Sequence, residues 1–278
     1  RPANLAAMSI YSDHKQITRS VSLNRLAMNL GFTIGPSVAG WLAVTYGYKW
    51  IFYVDSISCF FAALIFFSFL KRREIEKDPE KTEGLSGAIL KADPWYGAFL
   101  ISVLLSGIGF VSLFTSYPVF MEEKLMMTEG VIGLWLAVNG FIIFLTEMPI
   151  VYFLEKRENT YNPMVIGMAL ISFALLGSMG WLPTLLMVGV YFVFITFGEI
   201  LAFPFQATFS LNRASNEKKG TYMGYYGLTW SIALMVGPPT SFWVAEELGF
   251  YYLWAILGAV TLLSSVSMFF LKKRLIKS

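Results

Sequence analysis

The chain has 278 residues, of which 56% are apolar, only 14% are charged and 25 are phenylalanine. A soluble domain of this length needs far more charge to cover its surface, whereas apolar blocks of about 20 residues match the ~30 Å hydrocarbon core of a bilayer. A single cysteine, Cys59, excludes an internal disulfide, and the net charge of +3 carries meaning only through its distribution.

Hydropathy predicts eight membrane helices, at 20–44, 50–70, 95–118, 129–154, 162–182, 184–207, 221–244 and 249–271. Nearly all Lys and Arg fall in alternate breaks. One set holds Lys15, Arg19, the run from Lys71 to Lys91, Lys156, Arg157, Arg213, Lys218, Lys219 and the tail from Lys272. The other holds only Lys49 and Lys124, beside Glu122, Glu123, Glu246 and Glu247. The positive-inside rule assigns the first set and the C-terminus to the cytoplasm. The break around 71–94 is long, charged and mixed in sign, which reads as a cytoplasmic linker between two helical bundles. The chain opens on Arg1-Pro2-Ala3-Asn4 with neither Met nor a signal-peptide pattern, so it is expected to be part of a longer protein.

An ungapped internal repeat fixes the expected architecture. GPSVAGWLAVTYG from Gly35 aligns with GPPTSFWVAEELG from Gly237, pairing Gly35/Gly237, Pro36/Pro238, Trp41/Trp243, Ala43/Ala245 and Gly47/Gly249; Pro2 and Pro204 fall in the same register. Both copies run outward from the cytoplasm, so the repeat is parallel, as in two bundles related by an axis along the membrane normal. On that register, 1–70 is the end of a fourth helix plus helices five and six of a first bundle. Residues 71–94 are the linker and 95–278 the second bundle, so about eight of an original twelve helices are present.

These motifs carry a family resemblance. GFTIGPSVAG at 31–40 resembles the G-x-x-x-G-P-x-x-G-G motif that ends the fifth helix of drug/proton antiporters in the major facilitator superfamily, with Ala39 in place of one Gly. Asn139-Gly140, Glu147–Pro149 and GEILAFP at 198–204 also resemble segments of bacterial members. The family's loop motif has a partial counterpart in Glu155-Lys156, but Val151 stands where Gly is expected. The resemblance implies an all-α, major facilitator-type bundle in the bacterial inner membrane. It also implies secondary transport, with proton-coupled efflux of small molecules as the leading form; a facilitator or importer of the same fold and a non-transporting sensor remain open.

Several residues are candidates for that function. At 100° per residue, Arg25, Asn29 and Thr33 share a polar stripe with Ser22, about 80° wide, while Ala27, Gly31, Gly35 and Ala39 lie opposite. The stripe is expected to face a wet cavity, which makes Arg25, Asn29 and Thr33 candidate substrate-cavity residues, with snorkelling to the interface as the alternative for Arg25. Gly31, Gly35, Pro36 and Gly40 then serve either helix packing or the antiporter motif, and Gly237 and Pro238 repeat them beside Thr229, Ala233 and Ser241. Arg25, Glu147 and Glu199 are ionisable groups inside spans, where an unpaired charge costs at least ~2.5–3.5 kcal/mol. Glu199 and Glu147 are candidate proton-coupling carboxyls; a hydrogen bond between helices or a pairing with a base is the alternative for each. Asn139, Gln206, Phe114, Tyr117, Tyr225, Tyr226 and Trp230 are candidate cavity-lining residues, Phe114 and Tyr117 being expected on one face. Asp55 reads as a helix cap, and the aromatics near span ends as an interfacial belt.

The lone His14, among Ser12, Asp13 and Lys15, makes a His/Cys metal site implausible. No HExxH and no G-x-S-x-G occurs. Neither an enzyme nor a cofactor is therefore expected. The expected partners are the lipid bilayer, protons and a small-molecule substrate, with no nucleic acid.

Overall fold

The computed structural model describes residues 17–69, 93–156, 161–215 and 218–275. All regular elements among them are helical: α1 (Ile17–Tyr46), α2 (Lys49–Phe69), α3 (Pro94–Val111), α4 (Ser116–Glu123), α5 (Glu129–Glu155), α6 (Tyr161–Gly177), α7 (Thr184–Arg213), α8 (Lys219–Glu247) and α9 (Phe250–Leu275). Seven of the eight expected spans are each matched by one helix, and the third by α3 and α4 together. Five stretches, including Glu129–Glu155 and Thr184–Arg213, are long and apolar enough to cross a membrane. Both α1 and α8 reach 29 residues or more, but their Gly, Pro and hydroxyl residues dilute their hydropathy, and α6 is short at 17 residues. His14 and nearly all of the expected linker lie outside the described residues.

Two expectations about the third span need correction. Asp93, expected to lie in the linker, is the N-cap of α3: its carboxylate accepts from the Tyr96 N–H, and Pro94 occupies the first helical turn, where its missing donor costs nothing. The helix is also not continuous to residue 118. A 3-10 turn at Ser112–Phe114 and a distorted Thr115 (φ −123°, ψ −87°) separate α3 from α4. The turn rotates the side-chain register, so Phe114 points outward at 60% exposed while Tyr117 is fully buried.

The described residues form two compact units, divided inside α1: residues 17–26 belong with 93–275, and 27–69 form the other. In the smaller unit no residue of the Lys49–Ser68 span is buried. A side chain at Gly31 or Gly35 would meet no atom within 4 Å, so the close helix approach expected at these glycines is not made among the described residues. The side chains of Thr33 and Pro36, and Gly40, lie outside what is described. The helix pairs α1–α2 and α8–α9 are joined alike, because Gly47 (φ +91°) and Gly249 (φ +92°) end the first helix of each pair in the left-handed region. These two glycines are one of the aligned pairs of the internal repeat.

The larger unit is a bundle of α3 and α5 through α9. Thr229, Ala233, Gly237 and Ser241 form the buried face of α8, and a Cβ on Gly237 would sit 3.7 Å from the Ile108 carbonyl of α3. The tightest backbone approach at a described glycine joins α6 to α7. A Cβ on Gly167 would stand 2.5 Å from the Ala202 nitrogen and 2.6 Å from the Gly198 oxygen, the geometry of small residues four apart letting backbones touch. Serines tie other helices together: Ser172 donates to the Gly258 carbonyl, Ser264 to that of Ser102 and Ser265 to that of Val165. At the end where α3 begins, Arg213 of α7 grips Asp93 through both oxygens (2.7 and 3.0 Å), Tyr222 of α8 donates to the same carboxylate, and Tyr96 donates to the Tyr222 carbonyl.

Two measurements check this packing. Gly167→Val is expected to destabilise the bundle by about 1–3 kcal/mol or more, because backbone on α7 cannot yield as a side chain would; thermal unfolding of the purified protein reads it. Burial raises the Asp93 pKa, but the hydrogen bonds from Arg213 and the Tyr96 N–H outweigh it, leaving the carboxyl below its ordinary value. A depressed folded-state pKa gives stability that is complete above about pH 4 and is lost as the pH falls through the folded value. Asp93→Asn is expected to lower the melting temperature at neutral pH and to flatten its fall in acid.

Candidate functional site

Burying a carboxylate in an apolar bundle is unfavourable unless a cation and hydrogen-bond donors accompany it. Two such groups lie in the larger unit: Glu147 on α5, 0% exposed, and Glu199 on α7, 4% exposed. Arg25 of α1 serves both. Its Nε donates to Glu147 Oε1 at 3.1 Å, and its Nη2 to Glu199 Oε2 at 3.3 Å. The guanidinium is planar and carries donors in a fixed fork, so one side chain can reach two carboxylates on two helices at once.

The two carboxylates are not equivalent. Glu147 Oε1 also accepts from Ser22 at 2.8 Å, one turn before Arg25 on the same face of α1. Glu147 Oε2 has no hydrogen-bond partner among the described residues. Glu199 Oε1 accepts instead from Asn139 Nδ2 at 3.3 Å, and that nitrogen also donates to Thr196 Oγ1 at 2.7 Å. With both acids ionised the cluster carries a formal surplus of one negative charge.

Aromatic residues wall the charges. The Arg25 guanidinium lies 5.0 Å from the Phe203 ring centroid, within cation–π range. Phe203 packs edge-on against Trp230 (4.8 Å) and Phe110 (4.6 Å). Toward the basic end, Tyr226 donates to Gln206 Oε1 at 3.4 Å, and Gln206 Nε2 is buried without a partner among the described residues. Tyr225 is part-buried against the same core. At that end a second arginine, Arg19, forms an ion pair with Glu155 and lies 4.4 Å over the Tyr152 ring.

The structure thus brings together Arg25, Glu147, Glu199 and Asn139, with Gln206, Tyr226 and Trp230 alongside. Phe114 faces outward instead, and Asn29 belongs to the smaller unit. Tyr117 stacks on Tyr191, in a buried aromatic cluster with Trp254. Ser22, which the sequence places on the polar stripe of Arg25, joins the cluster as a donor, and Thr196 and Phe203 are members that the sequence did not single out. Ser22 and Thr196 each stand three residues before a charged member of the cluster, which is the signal that marks them.

A many-span helical bundle with a charged cluster sealed in its apolar interior defines a polytopic membrane protein built around an ionisable site. The family model of the Major Facilitator Superfamily matches residues 1–238 and, in a second overlapping match, 99–277; the chain belongs to this superfamily. It is 23% identical over 273 residues to the uncharacterized MFS-type transporter YqjV of Bacillus subtilis, covering 94% of this chain and 65% of that protein. It is 28% identical over 260 residues to the mouse MFS-type transporter SLC18B1, covering 86% and 54%. The chain therefore spans between about half and two thirds of the length of these relatives. Among solved structures, the human organic anion transporter MFSD10 (TETRAN) superposes with a TM-score of 0.75 at 17% identity, over 96% of this chain and 67% of that one, a likeness of fold.

Removing the shared cation is the direct test of this geometry. Arg25→Met is expected to destabilise the protein by about 3–5 kcal/mol, since it strands two buried carboxylates. Arg25→Lys keeps a charge but loses the fork and should cost less. Thermal unfolding at neutral pH checks both.

Proposed function

We propose that this chain is the larger part of a secondary transporter that moves small molecules by alternating access, with proton exchange at the Arg25–Glu147–Glu199 cluster as the coupled step. The observation that carries the reading is a single arginine bridging two buried carboxylates on separate helices. A surplus buried charge is the state a proton would relieve, and an ionisable group inside a membrane bundle is a functional candidate by default. In this reading residues 1–70 belong to a first bundle, 71–94 link it to the second, and 95–278 form the second, with the basic loops and the C-terminus in the cytoplasm. Rocking of the bundles would then open and close a site near the midplane.

Export is the preferred direction because 31–40 resembles the antiporter motif. Gln206, Tyr225, Tyr226 and Trp230 are the proposed substrate-facing residues, Asn139 being committed to Thr196 and Glu199. The name of the human neighbour specifies organic anions, but the surplus negative charge of this cluster opposes an anionic cargo, and that label is not carried over. A facilitator of the same fold would need no titrating group at such a depth.

The test is flux through the full-length protein in proteoliposomes under an imposed pH gradient. The unsubstituted protein is expected to follow the gradient. Glu199→Gln should abolish that dependence, with a loss of at least roughly tenfold, and Glu147→Gln should weaken it. Full gradient dependence in both variants would exclude the cluster from coupling.

A further inference from the structure

We propose that Asn139 is a positioning residue that reads the protonation state of Glu199 by exchanging the two ends of its amide; this rests on the reading of Glu199 as a coupling carboxyl. Thr196 donates its only hydroxyl proton to the Phe192 carbonyl one turn back. Toward Asn139 it can therefore only accept, which fixes Nδ2 as the amide atom facing it. The second proton of Nδ2 goes to Glu199 Oε1. Both amide protons are thus spent on acceptors, the arrangement an ionised carboxylate requires.

Protonation inverts that requirement. A proton from the aqueous side forms an O–H bond at Glu199 Oε1 and cancels the carboxylate charge; no other covalent bond breaks, and Oε2 remains as the carbonyl facing Arg25. The new O–H then confronts an N–H, donor against donor. A half-turn of the Asn139 amide presents Oδ1 instead, whose two lone pairs accept from Glu199 and from a Thr196 hydroxyl swung away from Phe192. In each arrangement the amide atom that faces Glu199 and Thr196 matches both of them, as donor to the ionised carboxylate and as acceptor from the protonated one. Asn139, Thr196 and Glu199 are 3%, 0% and 4% exposed, so water does not fill in for a mismatched intermediate, and the network has two states rather than a continuum. The other ionisable groups near Glu199 are Arg25 from α1, Glu147 from α5, Tyr191 on its own helix and, beyond Arg25, Tyr226 from α8. Arg25 approaches through Oε2, leaving the Oε1 side to Asn139.

The experiment is pH-difference infrared spectroscopy on the full-length protein in lipid, with protons as the only ligand. The expected result is a protonated-carboxyl band that is absent in Glu199→Gln, together with a side-chain amide carbonyl band, absent in Asn139→Leu, that shifts at the same pH midpoint. In Asn139→Leu the carboxyl midpoint should rise, by up to about one pH unit, because the donor lost by the ionised form is charge-assisted and outweighs the acceptor lost by the neutral form. Thr196→Val keeps the Glu199 contact but removes the second partner, so the amide shift should shrink while the carboxyl still titrates. That variant and the unsubstituted spectrum decide the matter if Asn139→Leu does not fold. A Glu199 carboxyl that titrates with no accompanying amide shift overturns the switch and leaves the coupling reading intact. No Glu199-dependent band at all removes both.

Discussion

An ionised carboxylate in an apolar bundle must be compensated on the spot, and here two of them share one guanidinium. That constraint fixes much of the local architecture. Arg25 must come from a helix passing between α5 and α7; Glu147 must face it from α5, and Glu199 from α7. Each carboxylate then takes one neutral donor, Ser22 or Asn139. The ion pairs join residues 17–26 to the bundle formed by α3 and α5 through α9, which is why the start of α1 groups with that bundle although the rest of the helix does not.

Around this centre some contacts involve the interior charges and others do not. The backbone approach of Gly167 to Ala202 and Gly198 holds α6 on α7, and the Asp93–Arg213 fork with Tyr222 ties the ends of α3, α7 and α8. Neither depends on the charge state of the interior. The contacts made by Arg25, by contrast, change strength whenever a carboxylate changes charge. On the proposed function, a proton at Glu199 alters the grip on α1 while leaving the α6–α7 seam unchanged.

The sequence made the bundle legible because bilayer thickness sets span length and backbone needs set the turns. The repeat pair Gly47 and Gly249 shows this: aligned by sequence alone, both sit in the left-handed region at the end of their helices. The small-residue face of α8 was readable for the same reason, since spacing of four puts side chains on one side. The charged cluster was half readable. Arg25, Glu147 and Glu199 stand out by cost, but which helix faces which is a tertiary fact. The donor role of Ser22 and the presence of Thr196 were therefore not readable, both being ordinary hydroxyls until a carboxylate or an amide is placed beside them. The turn at Ser112–Phe114 carries no Gly or Pro to announce it, and it alone sent Phe114 and Tyr117 to opposite sides. Asp93 looked like one more charge in a charged linker, although Asp-Pro before an apolar run is a helix start.

The central claim is that charge compensation by Arg25 holds α1 against α5 and α7. Spin labels on Leu23 and Phe153, both exposed, report the separation of α1 and α5 by distance measurements on the full-length protein at neutral pH. The account predicts one narrow distribution, a broad and longer one in Arg25→Met, and a return toward the narrow one when Glu147→Gln and Glu199→Gln are added to Arg25→Met. An identical distribution in all three proteins would contradict it.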